Sequence, residues 1–596
     1  MTPLLILYAS QTGNAEDVAE RIFREAKRWH FRPRLASMDW VKAEDIFRAP
    51  FAVFVCSTTG QGDMPETMKS LWTFLLRKKL DSTVLCGLSF AVFGLGDSSY
   101  PRYNFPSKKL YKRLQQLGAT PIIERGDGDD QHPLGFDGAL YPWLTKLWDR
   151  LSELNPLGPL VPDSVTNAVP SPTFVLTYLE GDVQSDDLID DVDQLDTFRE
   201  PAKALTMRPK VPSKLLRNDR LTSIDHFQDV RHVILDLNHS EVTYGPGDIV
   251  NFRPQNLSDD VEEFIGRFNW QDIADKPCRL TWNDPTIGKS DQHSRILTLR
   301  WLLQHYLDIF GKPRRYFFEL LSYFASDPDQ KEKLMYFSSP EGQNDLYQYC
   351  YRVHRNAAEV LRDFNSVVFP PEYLLDLFSA MRPRQFSIAS SQLVHPHELH
   401  VLAAIVRYRT KLSTPRHGVF TKFLSTLKPG DTIDLWTSKG TFTQPPDELA
   451  PVILIGPGTG IAPMRSILED RVARGISNNI VVQGIRSVDK DFFFVEQFQE
   501  YASKHFLKHF LAASRDQSAK VYVQDLISDE AETIWRALLR GGTIYLSGKS
   551  GLMPQGVRDA LEKCFMTVGG LSSDAAKDFL STLERTKRFQ EETWSS

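Results

Sequence analysis

Several residue clusters in this 596-residue chain have the types and spacing that bind phosphates and flat ring cofactors. In the first, Ser10-Gln11-Thr12-Gly13-Asn14-Ala15 follows the apolar run Leu4–Tyr8 and opens a helix-like segment. Unsatisfied N–H groups and the positive end of a helix dipole converge there on one spot, which favours an anion. The hydroxyls of Ser10 and Thr12 and the Asn14 amide add donors, Gly13 lets the backbone come close, and the loop holds no Lys or Arg. A phosphate monoester suits such a set, although an ordinary capped turn would use the same residues. Two further loops follow apolar runs of the same segment. One is Ser57-Thr58-Thr59-Gly60-Gln61-Gly62-Asp63, and the other is Leu95-Gly96-Asp97-Ser98-Ser99-Tyr100-Pro101-Arg102-Tyr103-Asn104. In open α/β sheets ligands bind beyond the carboxyl ends of the strands. The three loops would therefore close on one ring, with Tyr100 stacked on it and Asp130 as a fourth contact.

The second half carries two more clusters. Arg384-Gln385-Phe386-Ser387 matches the Arg-x-[Phe/Tyr]-[Ser/Thr] element of ferredoxin-reductase-like barrels. The resemblance implies that Arg384 pairs with the FAD pyrophosphate, Phe386 packs on the flavin and Ser387 hydrogen-bonds near its N5. Gly418-Val419-Phe420-Thr421 would meet the same pyrophosphate at a helix start, Tyr244–Asp248 supplies an early barrel turn, and Arg352 takes the place of another FAD-contacting arginine. Gly456-Pro457-Gly458-Thr459-Gly460 follows the run Val452–Ile455 and resembles the pyridine-nucleotide loop of ferredoxin-NADP reductases. Its glycines allow a diphosphate to approach and Thr459 can donate to it. Beyond it, Ser514, Arg515 and Lys520-Val521-Tyr522-Val523-Gln524 supply the hydroxyls and cations that would select a 2′-phosphate, hence NADPH over NADH. Gly548-Lys549-Ser550 looks like the end of a Walker A loop, but the glycine required five residues earlier is Thr543.

These clusters need particular elements to hold them. Over residues 1–151, strands at Leu4–Tyr8, Arg34–Met38, Phe51–Ser57, Phe90–Gly94 and Thr120–Glu124 alternate with amphipathic segments such as Ala15–Trp29 and Glu66–Lys78. That order predicts a flavodoxin-like, doubly wound parallel sheet. Residues 152–205 read as a Pro/Ser/Gly-rich, then acidic, linker with at most one strand, Phe174–Tyr178. From 206 to 447, strands at Val230–Leu237, Tyr244–Phe252, Arg384–Ser390, Leu399–Arg407 and Thr432–Trp436 predict a β-barrel. Helical segments at Leu297–Phe310, Arg314–Phe324 and Ala357–Phe364 predict an insertion into it over about 257–375. Residues 448–596 return to an α/β pattern, the expected NADPH-binding domain.

Bulk properties narrow the function classes. A chain of this length needs several cores. A net charge of -6 argues against a nucleic-acid binder. The five cysteines, Cys56, Cys86, Cys278, Cys350 and Cys564, lie far apart, which suits a reducing compartment and neither a disulfide framework nor a metal site. Neither a signal peptide nor a membrane anchor is read from the sequence, so the expected location is the cytoplasm.

The order of flavodoxin, linker, insertion-bearing FAD barrel and NADPH domain resembles the diflavin reductases, such as cytochrome P450 reductase, over essentially the whole chain. The resemblance implies hydride passing from NADPH to FAD, then electrons to FMN, then singly to a protein acceptor. It also implies that Trp594, in the ending Glu592-Thr593-Trp594, covers the FAD ring, and that Ser387, Glu592 and Trp594 serve the hydride step. Relatives carry an aromatic where this chain has Thr59, a cysteine where it has Ser547 and an acidic residue where it has Gly556. Within the family the chain looks most like the cytosolic branch. That branch implies an anamorsin-type iron–sulfur protein as electron acceptor, in cytosolic iron–sulfur cluster assembly. The alternatives are a haem or cobalamin protein as acceptor, and a non-enzymatic flavodoxin-like scaffold.

Overall fold

The computed structural model divides into two compact units, Met1–Met207 with Ser258–Ala380, and Arg208–Leu257 with Met381–Ser596. It describes all residues except 12, 60, 61, 101, 159, 161–168, 182, 183, 185, 186, 200–208, 239, 284–293, 413, 595 and 596.

In the first unit the apolar runs become parallel strands because both of their faces are covered. The order is Arg32–Ser37, Pro3–Ala9, Phe51–Ser57, Ser89–Gly96 and Thr120–Pro121. Phe51–Ser57, near the middle, is buried along its whole length. Helices Asn14–Arg28 and Asp137–Leu154 cover one face through Val18, Ile22, Trp143 and Leu147. Helices Glu66–Leu75 and Phe105–Gln116 cover the other through Leu71, Leu75, Leu110 and Leu114. The fifth strand differs from the single run expected over Thr120–Glu124. Thr120–Pro121 and Gly126–Asp129 pair separately with Ser89–Gly96. Between the pairs Phe90↔Pro121 and Phe93↔Gly126 the later segment advances further along the chain, so Ile122–Arg125 loop out of the ladder.

The rest of the first unit is mainly helical and has its own core, including Phe264, Leu302, Phe318, Val360 and Phe369. Phe174–Tyr178 is a strand and pairs antiparallel with Cys278–Trp282, which pairs with Ser294–Leu297. The acidic stretch also carries a helix, Val192–Arg199. Its Leu195 and Phe198 are buried, and buried Asp196 accepts a hydrogen bond from the Tyr306 hydroxyl at 3.0 Å. This is more structure than a solvated connector requires. The helix expected over Leu297–Phe310 is shorter and becomes a helical turn, Leu299–Trp301, followed by a π-turn, Leu302–Tyr306. Arginines fasten these helices to the two that cover one face of the flavodoxin-like sheet. Arg314 pairs with Asp17 (3.5 Å) and Glu20 (2.8 Å), Arg315 with Asp137 (3.6 Å), and Arg28 with Glu319 (2.5 Å).

The second unit opens with an antiparallel sheet in the order Arg384–Ser387, Ile249–Phe252, Thr432–Ser438, Val211–Arg220, Val230–Asp236 and Glu398–Ala404. A bridge between Ile388 and Val401 joins its two ends and closes a barrel around Leu215, Val233, Val250, Phe420 and Leu435. The remainder is a parallel sheet in the order Leu507–Ala513, Asn479–Ile485, Val452–Pro457, Thr543–Lys549 and Phe589–Trp594, with helices on both faces. The last of these strands has no counterpart among the sequence expectations.

Candidate active site

Among the loops of the first unit, Gly13 has φ 97° and stands before helix Asn14–Arg28, which no side chain caps. Its N–H donates to Ser10 Oγ at 2.7 Å, so the Ser10 hydroxyl proton remains available to a ligand. Thr67 Oγ1 accepts from the Ser10 N–H at 3.2 Å and ties this loop to helix Glu66–Leu75, which follows the second loop. Ser57 Oγ donates to the Ala9 carbonyl at 3.3 Å, and the Thr58 N–H to the Leu95 carbonyl at 2.7 Å. Thr59 and Asp63 exchange backbone hydrogen bonds at 3.0 and 2.7 Å across a tight turn. Thr12, Gly60 and Pro101 lie outside the described residues.

The third loop is braced from within. Asn104 is fully buried at φ 54°, and its Nδ2 donates to the Gly128 carbonyl at 3.1 Å. The Tyr103 hydroxyl donates to the Asp127 and Gly128 carbonyls, each at 3.1 Å, and burial pushes the phenol up to about 12. The Ser98 N–H donates to Asp129, and the Ser99 N–H to Asp97. These bonds leave half-buried Tyr100 and exposed Ser98, Ser99 and Arg102 at the rim. The Asp130 N–H donates to the Gly96 carbonyl at 2.9 Å. Burial, and then the Asp97 carboxylate, raise the Asp130 carboxyl, while Lys312 from the helical part opposes them. Lys312 was not among the sequence candidates; it sits over the Tyr351 ring at 4.4 Å, a contact with no local signal. Arg352 is exposed and donates to Gln348 Oε1 at 2.6 Å.

In the second unit, Gln385 Nε2 donates to Asn251 Oδ1 at 3.1 Å, and Arg384 to the Arg382 carbonyl at 2.7 Å. Phe386 packs on Phe252 and Phe420, with ring centroids 6.0 and 5.4 Å away. Phe420 itself is buried, stacked on Phe252, and belongs to the barrel core. Gly418 precedes helix Val419–Thr426, which no side chain caps. Thr421 Oγ1 accepts from the Val406 N–H at 3.1 Å, so this hydroxyl holds the loop's shape.

Ser387 Oγ donates to Glu592 Oε1 at 3.0 Å. Among the described residues Glu592 Oε2 is buried without a partner, as is the hydroxyl of Ser547, which stands opposite Glu592 in the ladder. Burial raises the Glu592 carboxyl, and the Ser387 hydrogen bond counters that rise. Three side chains thus gather at the carboxyl ends of the last two strands, two of them with unmet hydrogen-bonding capacity. Trp594 ends its strand 36% exposed, and its carbonyl accepts from the Ser550 N–H at 2.8 Å.

The turn Gly458–Gly460 lies between strand Val452–Pro457 and helix Ile461–Ala473. A Cβ on Gly460 would come within 2.0 Å of the Ser547 carbonyl oxygen, so only glycine allows this approach. Thr459 is half-buried, while Arg515, Lys520 and Tyr522 are exposed beyond the Leu507–Ala513 strand. Ser514 and Val523 are buried, with Ser514 Oγ donating to the Ile485 carbonyl at 3.2 Å. Gln524 borders Gly556.

Comparison with known proteins identifies the domains that carry these loops. Residues 6–143 match the flavodoxin family, residues 206–423 an FAD binding domain, and residues 454–558 an oxidoreductase NAD-binding domain. The chain is 41% identical to NADPH-dependent diflavin oxidoreductase 1 of Danio rerio, 39% to that of Xenopus laevis and 37% to that of Arabidopsis thaliana. Each match covers 99% of both chains. The chain belongs to the NADPH-dependent diflavin oxidoreductase family. It is an NADPH-dependent oxidoreductase whose cofactors are FMN, FAD and NADPH. This sets aside the scaffold alternative. The residues of the diflavin oxidoreductase fit these groups. The uncapped helix beyond Gly13 suits a phosphate, the left-handed turn at Gly458, open where a Cβ would stand, suits a diphosphate, and the unmet polar atoms near Ser387 suit a ring bearing donors and acceptors. Among the described residues no helix is long and apolar enough to cross a membrane.

Proposed function

We propose that this diflavin oxidoreductase delivers single electrons from its flavodoxin domain to an iron–sulfur protein of the anamorsin type, in cytosolic iron–sulfur cluster assembly. The observation that carries the reading is the end-to-end likeness to NADPH-dependent diflavin oxidoreductases, with all three cofactor domains present in one chain. When bound, NADPH supplies two electrons as hydride, and the two flavins hand them on one at a time. The chain's residues do the rest. Ser10, Asn14 and the helix start hold the FMN phosphate, while Thr58, Thr59, Gly96, Tyr100, Asn104 and Asp130 frame its ring. Arg384, Phe386 and Gly418 hold FAD, and Ser387 and Glu592 form the polar pair beside its reacting edge. Trp594, 36% exposed at the end of its strand, would lie over the flavin ring. Thr459 meets the diphosphate of NADPH, and Arg515, Lys520 and Tyr522 meet its 2′-phosphate. Ser98, Ser99 and Arg102 are exposed at the rim of their loop, where an acceptor would reach the FMN edge.

A cytoplasmic location accords with the five cysteines, none of them in a disulfide. The test is pairwise reduction under NADPH of purified iron–sulfur, haem and cobalamin acceptors at matched concentration. Faster reduction of the haem or cobalamin protein would overturn the assignment of the acceptor. Release and separate quantification of FMN and FAD, expected at one of each per chain, checks the cofactor placement.

A further inference from the structure

Helix Ile461–Ala473 starts directly after the glycine turn and carries a row of buried polar side chains. Arg465 is 5% exposed, Ser466 0%, Glu469 0% and Asp470 4%. At i, i+1, i+4 and i+5 they share one face of the helix. That face binds three consecutive residues that come just after the strand Arg384–Ser387. Arg465 Nη1 donates to the Ala389 carbonyl at 2.6 Å, and Ser466 Oγ to the Ser390 carbonyl at 2.7 Å. The Ser391 N–H donates to Glu469 Oε2 at 2.9 Å, and Ser391 Oγ to Asp470 Oδ1 at 3.3 Å. A second layer locks the first. Arg465 pairs with Glu469 at 2.7 Å, and Gln497 bonds both of them at 2.7 Å. Tyr244 and Ser390 share a hydroxyl hydrogen bond at 2.7 Å.

The neighbouring His395, Glu398 and His400 place their ligand atoms within 4.8 Å of one another, a spacing that a divalent ion could bridge. The tautomer argues against one. A guanidinium can only donate, so His400 Nδ1, 3.2 Å from Arg465 Nη1, must accept. The ring proton of neutral His400 then sits on Nε2, facing Glu398 Oε2 at 2.9 Å, on the nitrogen a metal would need bare. Burial and Arg465 hold His400 well below its ordinary pKa, which keeps it neutral. Arg465 supplies the cation of this cluster.

We propose that Arg465 and Glu469 are positioning residues for hydride transfer, fixing the nucleotide turn Gly458–Gly460 at one distance and angle from the flavin strand Arg384–Ser387. The proposal rests on the placement of FAD at Ser387 and of NADPH at that turn. In the step concerned, the nicotinamide loses a hydride and becomes NADP⁺, while the flavin gains its two electrons and one proton. Such a transfer needs reacting atoms about 3–3.5 Å apart, and a shift of about 1 Å costs on the order of 100-fold in rate. The helix is short and directly joined to the turn, so a tilt at Arg465 is felt at Gly460 one turn away.

The test uses full-length protein loaded with both flavins, as the variants Arg465→Lys, Glu469→Gln and the milder Ser466→Ala. The expected results are faster amide exchange at Ser391 in the nucleotide-free protein, flavin content unchanged, and flavin reduction by NADPH slowed about tenfold or more. KM for NADPH should change much less, and the primary isotope effect with C4-deuterated NADPH should rise. Faster exchange at Ser391 with an unchanged rate and isotope effect would overturn the proposal. If the two charged-site variants fail to fold, the same comparison for Ser466→Ala decides it. Ser387→Ala is run in parallel. An unaffected rate in that variant overturns the placement of the flavin, whereas a slow Ser387→Ala beside fast Arg465 and Glu469 variants overturns only the positioning role.

Discussion

Replacing Ser387 by alanine removes one hydrogen bond whose consequence can be worked through. In the folded protein Ser387 Oγ donates to Glu592 Oε1 at 3.0 Å, while Oε2 is buried with no partner among the described residues. Burial raises the Glu592 carboxyl, and the serine is what holds it back. A hydrogen bond to a charged group contributes about 1.5–3 kcal/mol, and one pKa unit corresponds to about 1.4 kcal/mol. Glu592 is half-buried as a residue although Oε2 is enclosed, so the lower end applies, and without the serine the carboxyl titrates higher than in the wild type. A carboxyl whose folded pKa lies above its unfolded value disfavours the fold as pH rises through the folded pKa. The stability lost in Ser387→Ala is therefore smallest in acid, where Glu592 is protonated in both proteins, and grows as pH rises past that value. The assay is stopped-flow flavin reduction by NADPH from about pH 5 to 9, beside thermal unfolding over the same range. The limb governed by Glu592 should move towards alkali in Ser387→Ala and disappear in Glu592→Gln. A variant profile that superimposes on the wild type after scaling, with a stability gap independent of pH, would refute the coupling.

Four other changes test the remaining sites. Gly96→Ala brings a Cβ within 2.7 Å of Asn104 Oδ1 in a loop that cannot give way; flavin analysis should show FMN lost and FAD retained. Gly460→Ala drives a Cβ against the Ser547 carbonyl, so thermal unfolding should show a loss of about 1–3 kcal/mol and NADPH should bind poorly. Arg515→Ala and Lys520→Ala each remove an exposed cation, and each should raise KM for NADPH about tenfold while KM for NADH stays unchanged. Arg314→Ala leaves Asp17 and Glu20 without their shared arginine. The Glu20 carboxyl, already raised by burial, then rises further, so calorimetry should find the destabilisation largest near neutrality and shrinking as pH falls.

The parallel strands were legible because runs such as Phe51–Ser57 are apolar at nearly every position, and glycine-rich loops follow them at the ends where ligands bind. Phe589–Trp594 was not, because only Phe589 and Gln590 are buried and two glutamates interrupt any apolar run. The helix Val192–Arg199 was hidden by the acidic residues around it; its apolar side, Leu195 and Phe198, finds its partners in the helical part of the first unit. Several motif residues proved to shape their loops. Thr421 holds the Val406 N–H, Ser514 the Ile485 carbonyl, and Phe420 and Val523 fill cores. A motif records the residues that a bound ligand and a loop both require, and it does not separate the two.

Helix Ile461–Ala473 shows where pattern reading stops for a physical reason. Charges on a helix are ordinarily assigned to solvent, because an unpaired buried charge is strongly unfavourable. Arg465, Glu469 and Asp470 are buried because their partners arrive from Ala389 and Ser391, more than seventy positions earlier in the chain, and nothing local announces them. Taking a guanidinium and carboxylates out of water costs several kcal/mol per ion, so such a network adds little net stability compared with apolar packing. What it adds is direction. Apolar side chains would tolerate a sliding contact between the helix and the segment after the flavin strand. Hydrogen bonds to three successive residues accept only one register, and the glycine turn proposed to meet the nucleotide lies at the start of that helix.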